Sequence, residues 1–163
     1  LVPTDFSEHS NRVLQSANEL IIQDADYGLF VTTFYGVLDP GIGELVYANA
    51  GNNPPWVFEP GRADPIPLPR TGMALGVDES AGWKTASVRL APGSSAFFYT
   101  DGATDAQNAA GELLEEDRLL ETVQAARSRP AADLLAEVVA AIRKHIGEAP
   151  QFDDITLVVL KRE

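Results

Sequence analysis

Residues 97–112 read FFYTDGATDAQNAAGE, and the way Asp101 is placed in that stretch decides what kind of domain this is. The Ala91-Pro92-Gly93-Ser94 turn precedes it, so the aromatic run over residues 95–100 reads as a strand. At the end of that strand Asp101 can be a helix cap, a turn residue or a metal ligand. Taken singly, Asp-Gly after a strand reads best as a turn. A second pair of carboxylates, Asp153 and Asp154, opens the last apolar run, DDITLVVL. Hard cations such as Mg²⁺ and Mn²⁺ take oxygen ligands, which carboxylates at strand ends supply. The two positions lie far apart in the chain. They can meet if their strands are neighbours in one sheet and the segments between carry the chain across and back.

Outward from this stretch the pattern is that of one domain. Val13, Leu14, Ala17, Leu20 and Ile21 recur at helical spacing over residues 7–23. After Asp24-Ala25-Asp26 the pattern changes to a strand over residues 29–38, closed by Asp39-Pro40-Gly41, and a second strand over 44–49 makes a hairpin. Residues 51–55 form a loop because Pro54 and Pro55 cannot both join a ladder. Residues 56–58 resume a strand, 60–71 read as a stiff proline-rich loop, and 84–90 are the next strand. Helical spacing returns from Glu115, with Leu119, Leu120 and Val123 on one face. It returns again over residues 131–146, with Leu134, Leu135, Val138, Val139 and Ile142 inward and Gly147 as the stop. A closing strand covers 155–160. Strands first, then two helices, then one strand predict an α+β layered domain with an antiparallel sheet.

At 163 residues, 45% hydrophobic and 22% charged, the chain has ordinary globular composition and room for one sizeable core. A formal charge of −12 argues against a DNA or RNA partner and is compatible with gathering divalent cations. With no cysteine, disulfides and thiolate metal sites are excluded. Apolar runs such as residues 134–142, broken by Glu137, are too short to cross a bilayer, and no secretory signal is visible in these residues. The expected location is cytoplasmic, with no membrane contact from this segment. The first residue is Leu1, so the chain reads as a piece of something longer or a processed product.

Five segments then stand in order: LFVTTFYGVLD at 29–39, YANAGNNPP at 47–55, MALGV at 73–77, LAPGSSAFFYTDGATDA at 90–106 with Gly111-Glu112 behind it, and DDITLVVL at 153–160. As an ordered set they resemble the SpoIIE/RsbU-type branch of the bacterial PP2C-like (PPM) serine/threonine phosphatases, from about residue 10 to the end. The resemblance implies a β-sandwich of antiparallel sheets flanked by α-helices, in αββα layers. It also implies Mn²⁺- or Mg²⁺-dependent hydrolysis of phosphoserine or phosphothreonine on a protein, with two ions in the complete domain. The implied substrate is a phosphorylated STAS-type anti-anti-sigma protein in partner-switching regulation. Asp101 of TDG and Asp153 of DDIT match metal-binding aspartates of the family. Gly102, Asp154 and Asn52 are assigned to the surroundings of the site without binding the ion themselves. Such an ion acidifies water and neutralises phosphate, so no protein nucleophile is required.

Two departures shape the expectation. The family's NAGHNPP is NAGNNPP here, with Asn52, which cannot exchange a proton near neutral pH, in place of histidine. No GD-x-x-GHG-like segment is present before Phe30. Residues 1–163 therefore read as a single domain, the C-terminal two-thirds of a phosphatase domain, with part of the two-ion site outside it. A non-catalytic regulatory or binding module is the competing expectation. Apolar surface beside the first helix would favour a homodimer. Of the remaining candidates, His145 suits the end of a helix dipole and His9 carries no signal. Trp56 and Trp83 read as packing residues, Arg70 as an exposed loop residue, and Asp105 as a cap or solvent-facing residue.

Overall fold

In the computed structural model, which describes residues 6–24 and 28–163, the helical spacing of the first segment becomes α1 (Phe6–Asp24). The pattern change read at residues 24–26 lies partly outside the described residues. Leu14 is buried with Ala17 and Ile21 beside it, but Val13 and Leu20 of the same expected face are 38% and 59% exposed. Asn18 and Ser10 of this helix are also buried. Asn18 bridges α1 to the loop after residue 75. Its Oδ1 accepts the Gly76 amide at 2.7 Å, and its Nδ2 donates to the Asp78 carbonyl at 2.9 Å. Hydrogen bonds from the Ser80 hydroxyl and amide hold the Asp78 carboxyl below the usual carboxylate range.

The next elements are β1 (Thr33–Asp39), β2 (Glu44–Ala50), β3 (Trp56–Phe58), β4 (Ile66–Pro67), β5 (Ala86–Arg89) and β6 (Ser95–Tyr99). Then come α2 (Asp101–Thr104), α3 (Glu116–Ala126), α4 (Ala131–Ile146) and β7 (Leu157–Lys161). The expected hairpin is present, with β1 and β2 antiparallel from Thr33↔Ala50 to Asp39↔Glu44. The Asp39 carboxylate accepts the Gly41 and Ile42 amides and so closes the turn. β1 starts four residues later than the expected Leu29, because its partner runs out. β2 ends at Ala50, and Gly51 turns the chain at φ +81°, leaving Val31 an isolated bridge to Leu75. β4 is a correction of another kind: Ile66 and Pro67, read as loop, add a short strand at one edge of a sheet, where a missing N–H is tolerated.

The described residues fall into two compact units. One takes the residues up to Pro54 together with Pro67–Pro92 and holds the sheet β1-β2-β5. Its core joins Leu14, Ala48, Ala50, Leu75 and Trp83. The other takes Pro55–Ile66 and Gly93–Glu163. Its sheet runs β4-β3-β6-β7, with β3, β6 and β7 antiparallel. Trp56, Phe97 and Tyr99 of that sheet pack with Leu119 and Val123 of α3 and with Leu134, Val138 and Ile142 of α4. Leu135 and Val139, expected inward, are only half-buried. Both tryptophans are buried, as expected of packing residues. The content is α+β with antiparallel sheets, and among the described residues no helix is long and apolar enough to cross a membrane.

Candidate functional site

β6 and β7 are neighbours, which is the condition the two carboxylate motifs need. Their register pairs Tyr99 with Leu157 and continues one step further, the Thr100 amide donating to the Thr156 carbonyl at 3.1 Å. Thr100 then uses its side chain twice. Its Oγ1 accepts the Thr156 amide at 3.0 Å and donates to the Asp154 carbonyl at 3.3 Å. The strand end of TDG is thereby stitched to the strand start of DDIT.

Gly102 brings the two backbones closer still. A Cβ built on it would lie 2.2 Å from the Asp154 carbonyl oxygen and 2.9 Å from its carbon, so no side chain fits there. The glycine of TDG is thus a close-approach residue rather than only a turn residue. Asp101 begins the single turn of α2, with Thr100 as its extended N-cap residue. Its Oδ1 accepts the Gly102 amide at 3.0 Å, and Asp153 Oδ1 accepts the Asp154 amide at 2.7 Å. Asp101, Asp153 and Asp154 are all exposed. Behind them the sheet is firm: Tyr99 is buried, packs its ring at a 32° tilt with its centroid 4.5 Å from that of Trp56, and donates its hydroxyl to Glu116 Oε1 at 3.0 Å.

The donor set is oxygen only: exposed carboxylates just after β6 and just before β7, on segments that touch through their backbones. That suits Mg²⁺ or Mn²⁺ and excludes soft-ligand chemistry. Among the described residues no three His, Asp or Glu side chains gather as one metal cage. Asn52 lies in the other unit, with its Nδ2 on the Asn53 carbonyl at 2.9 Å and its carbonyl accepting Arg70 Nε at 3.2 Å. Asp105 is the exposed C-cap residue of α2 and accepts the Thr104 hydroxyl. His145 does more than sit at a helix end: its Nε2 meets the Glu112 carbonyl at 2.9 Å and so donates to it. Thr100 and Thr156 were not singled out from the sequence. The signal was there, since Thr100 directly precedes Asp101 and Thr156 follows Asp154 by two residues.

The sequence profile of the family described as Stage II sporulation protein E (SpoIIE) matches residues 5–163. Protein IcfG of Synechocystis sp. is 32% identical over 152 residues, which is 93% of this chain and 24% of that protein. The phosphoserine phosphatase RsbU of Bacillus subtilis is 24% identical over 155 residues, or 95% of this chain and 46% of that protein. The chain thus spans less than half the length of either relative. Among solved structures, the SiaA-PP2C domain of Pseudomonas aeruginosa superposes with a TM-score of 0.79 at 19% identity, covering 98% of this chain and 64% of that one. The RsbU and RsbW domains of Rv1364c from Mycobacterium tuberculosis superpose with a TM-score of 0.75 at 25% identity, covering 93% of this chain and 41% of that one. The chain belongs to the SpoIIE family and carries the fold of the PP2C phosphatases.

Proposed function

We propose that residues 1–163 are the C-terminal part of a Mn²⁺- or Mg²⁺-dependent protein serine/threonine phosphatase domain, with Asp101 and Asp153 as cation ligands. The observation that carries this reading is the backbone junction of TDG and DDIT, in which Gly102 lets Asp154 approach too closely for any side chain. A bound cation would supply Lewis acidity, screening the phosphate and acidifying the attacking water. The chain's own residues hold the geometry. Thr100 fixes the spacing of the two loops, Gly102 permits their contact, and the Tyr99–Glu116 bond anchors the strand beneath. Asp154 contributes its carbonyl to the junction rather than a ligand. The substrate class, a phosphoserine or phosphothreonine protein, is supported by the relative named phosphoserine phosphatase RsbU. A phosphorylated STAS-type anti-anti-sigma protein in the cytoplasm is the specific substrate proposed.

The test is Mn²⁺-dependent hydrolysis of a phosphoseryl protein by the intact protein and its Asp101→Asn variant. Loss of one charged ligand should lower kcat by about a hundredfold or more, with the fold retained by circular dichroism. Full metal-dependent turnover by the variant would sink the assignment. A second reading, a non-catalytic regulatory module, is favoured by Asn52 and by the two-loop carboxylate set. It predicts no turnover by the intact protein with either cation.

A further inference from the structure

Beside the candidate site lies a cleft of about 570 Å³ between two loops, residues 107–111 and residues 148–152. It is lined by Gln107, Asn108, Glu148, Gln151 and Phe152 among others. Phe152 immediately precedes Asp153, and Gln107 follows α2 closely, so both walls continue into the segments that carry the carboxylates. Phe152 is 70% exposed, more than any other large apolar residue described. Neither wall is slack. Asn108 Oδ1 accepts the Ala110 and Glu112 amides at 2.9 and 3.0 Å, and its Nδ2 donates to Glu112 Oε2 at 2.7 Å. His145 holds the Glu112 carbonyl from α4, and Gln151 Nε2 donates to the Asp153 carbonyl at 2.8 Å. A preorganised cleft costs less ordering when a ligand enters.

Charge identifies the occupant. Residues 101–112 and 147–154 contain Asp101, Asp105, Glu112, Glu148, Asp153 and Asp154, and no lysine or arginine. Of these, Glu148 lines the cleft itself and is the charged residue of that lining, so an acidic segment is repelled there and a basic one attracted. We propose that this cleft docks the polypeptide beside the substrate's phosphoresidue. It takes a segment that lays an apolar side chain on Phe152 and sets a lysine or arginine near Glu148, while the phosphate itself goes to the cation site. This rests on the phosphatase reading and adds to it a specificity determinant outside the metal ligands.

The experiment compares two substrates with the intact protein and Mn²⁺: p-nitrophenyl phosphate, which has no flanking chain, and phosphoseryl peptides differing only in Lys or Glu beside the phosphoserine. Phe152→Ala should lower the ratio of peptide to p-nitrophenyl phosphate kcat/KM about tenfold, chiefly through KM, and Phe152→Leu should restore much of it. The parent should prefer the Lys peptide, and Glu148→Lys should reverse that preference. A Phe152→Ala ratio within about twofold of the parent's, or a parent that prefers the Glu peptide, overturns the docking proposal while leaving the phosphatase reading intact. No turnover of either substrate by the parent removes both.

Discussion

Gly102 shows how one residue can carry a site without chemistry of its own. Its missing Cβ is the space in which the Asp154 carbonyl sits. Replacing it with alanine forces one backbone off the other, and overpacking of this kind costs roughly 1–3 kcal/mol, more where main chain must move. Gly102→Ala should therefore lower the unfolding midpoint in calorimetry and reduce metal-dependent turnover together. A variant unchanged in both would mean that the two loops do not need their contact. The glycine was visible in the sequence, but as half of an Asp-Gly turn signal. Its second role depends on residue 154, which no local rule connects to it.

Among the elements, α1 illustrates the limit of periodicity. The apolar spacing correctly indicated a helix, yet Val13 and Leu20 lie exposed and a polar residue, Asn18, is fully buried. Asn18 satisfies an amide and a carbonyl of the 76–78 segment at once. Asn18→Ala removes both hydrogen bonds, at a cost of about 1–3 kcal/mol. The expected result is a lower urea midpoint and faster exchange of the Gly76 amide. Unaltered exchange there would show that α1 does not hold the loop. α4 behaved differently. Its expected span, residues 131–146, is its observed span, because the 3.6-residue pattern and a positive-φ Gly147 act locally. β1 began late for the opposite reason, since a strand needs a partner and β2 turns away at Gly51.

For the molecule as a whole, strands β6 and β7 and the candidate carboxylates at their ends all belong to the second unit. Two cations on one phosphate ask for more oxygen ligands than Asp101 and Asp153 supply. Titration calorimetry of residues 1–163 with Mn²⁺ should therefore find fewer than two tightly bound ions, while the intact protein binds two. Two tight ions on the isolated chain would contradict the proposal that other ligands come from elsewhere in the parent protein.

By itself the sequence determined the class of most elements, the hairpin turn, the helix stops and the ordered motifs that mark the family. These are properties of a few neighbouring residues: side-chain period, allowed φ, and turn chemistry. Only the tertiary structure decided where strands end, that Pro67 sits at a sheet edge, and that TDG meets DDIT through Thr100 and Gly102. Those outcomes depend on which backbone groups find partners across two intervening helices, and hydrogen-bond pairing at such a distance leaves no trace in local pattern.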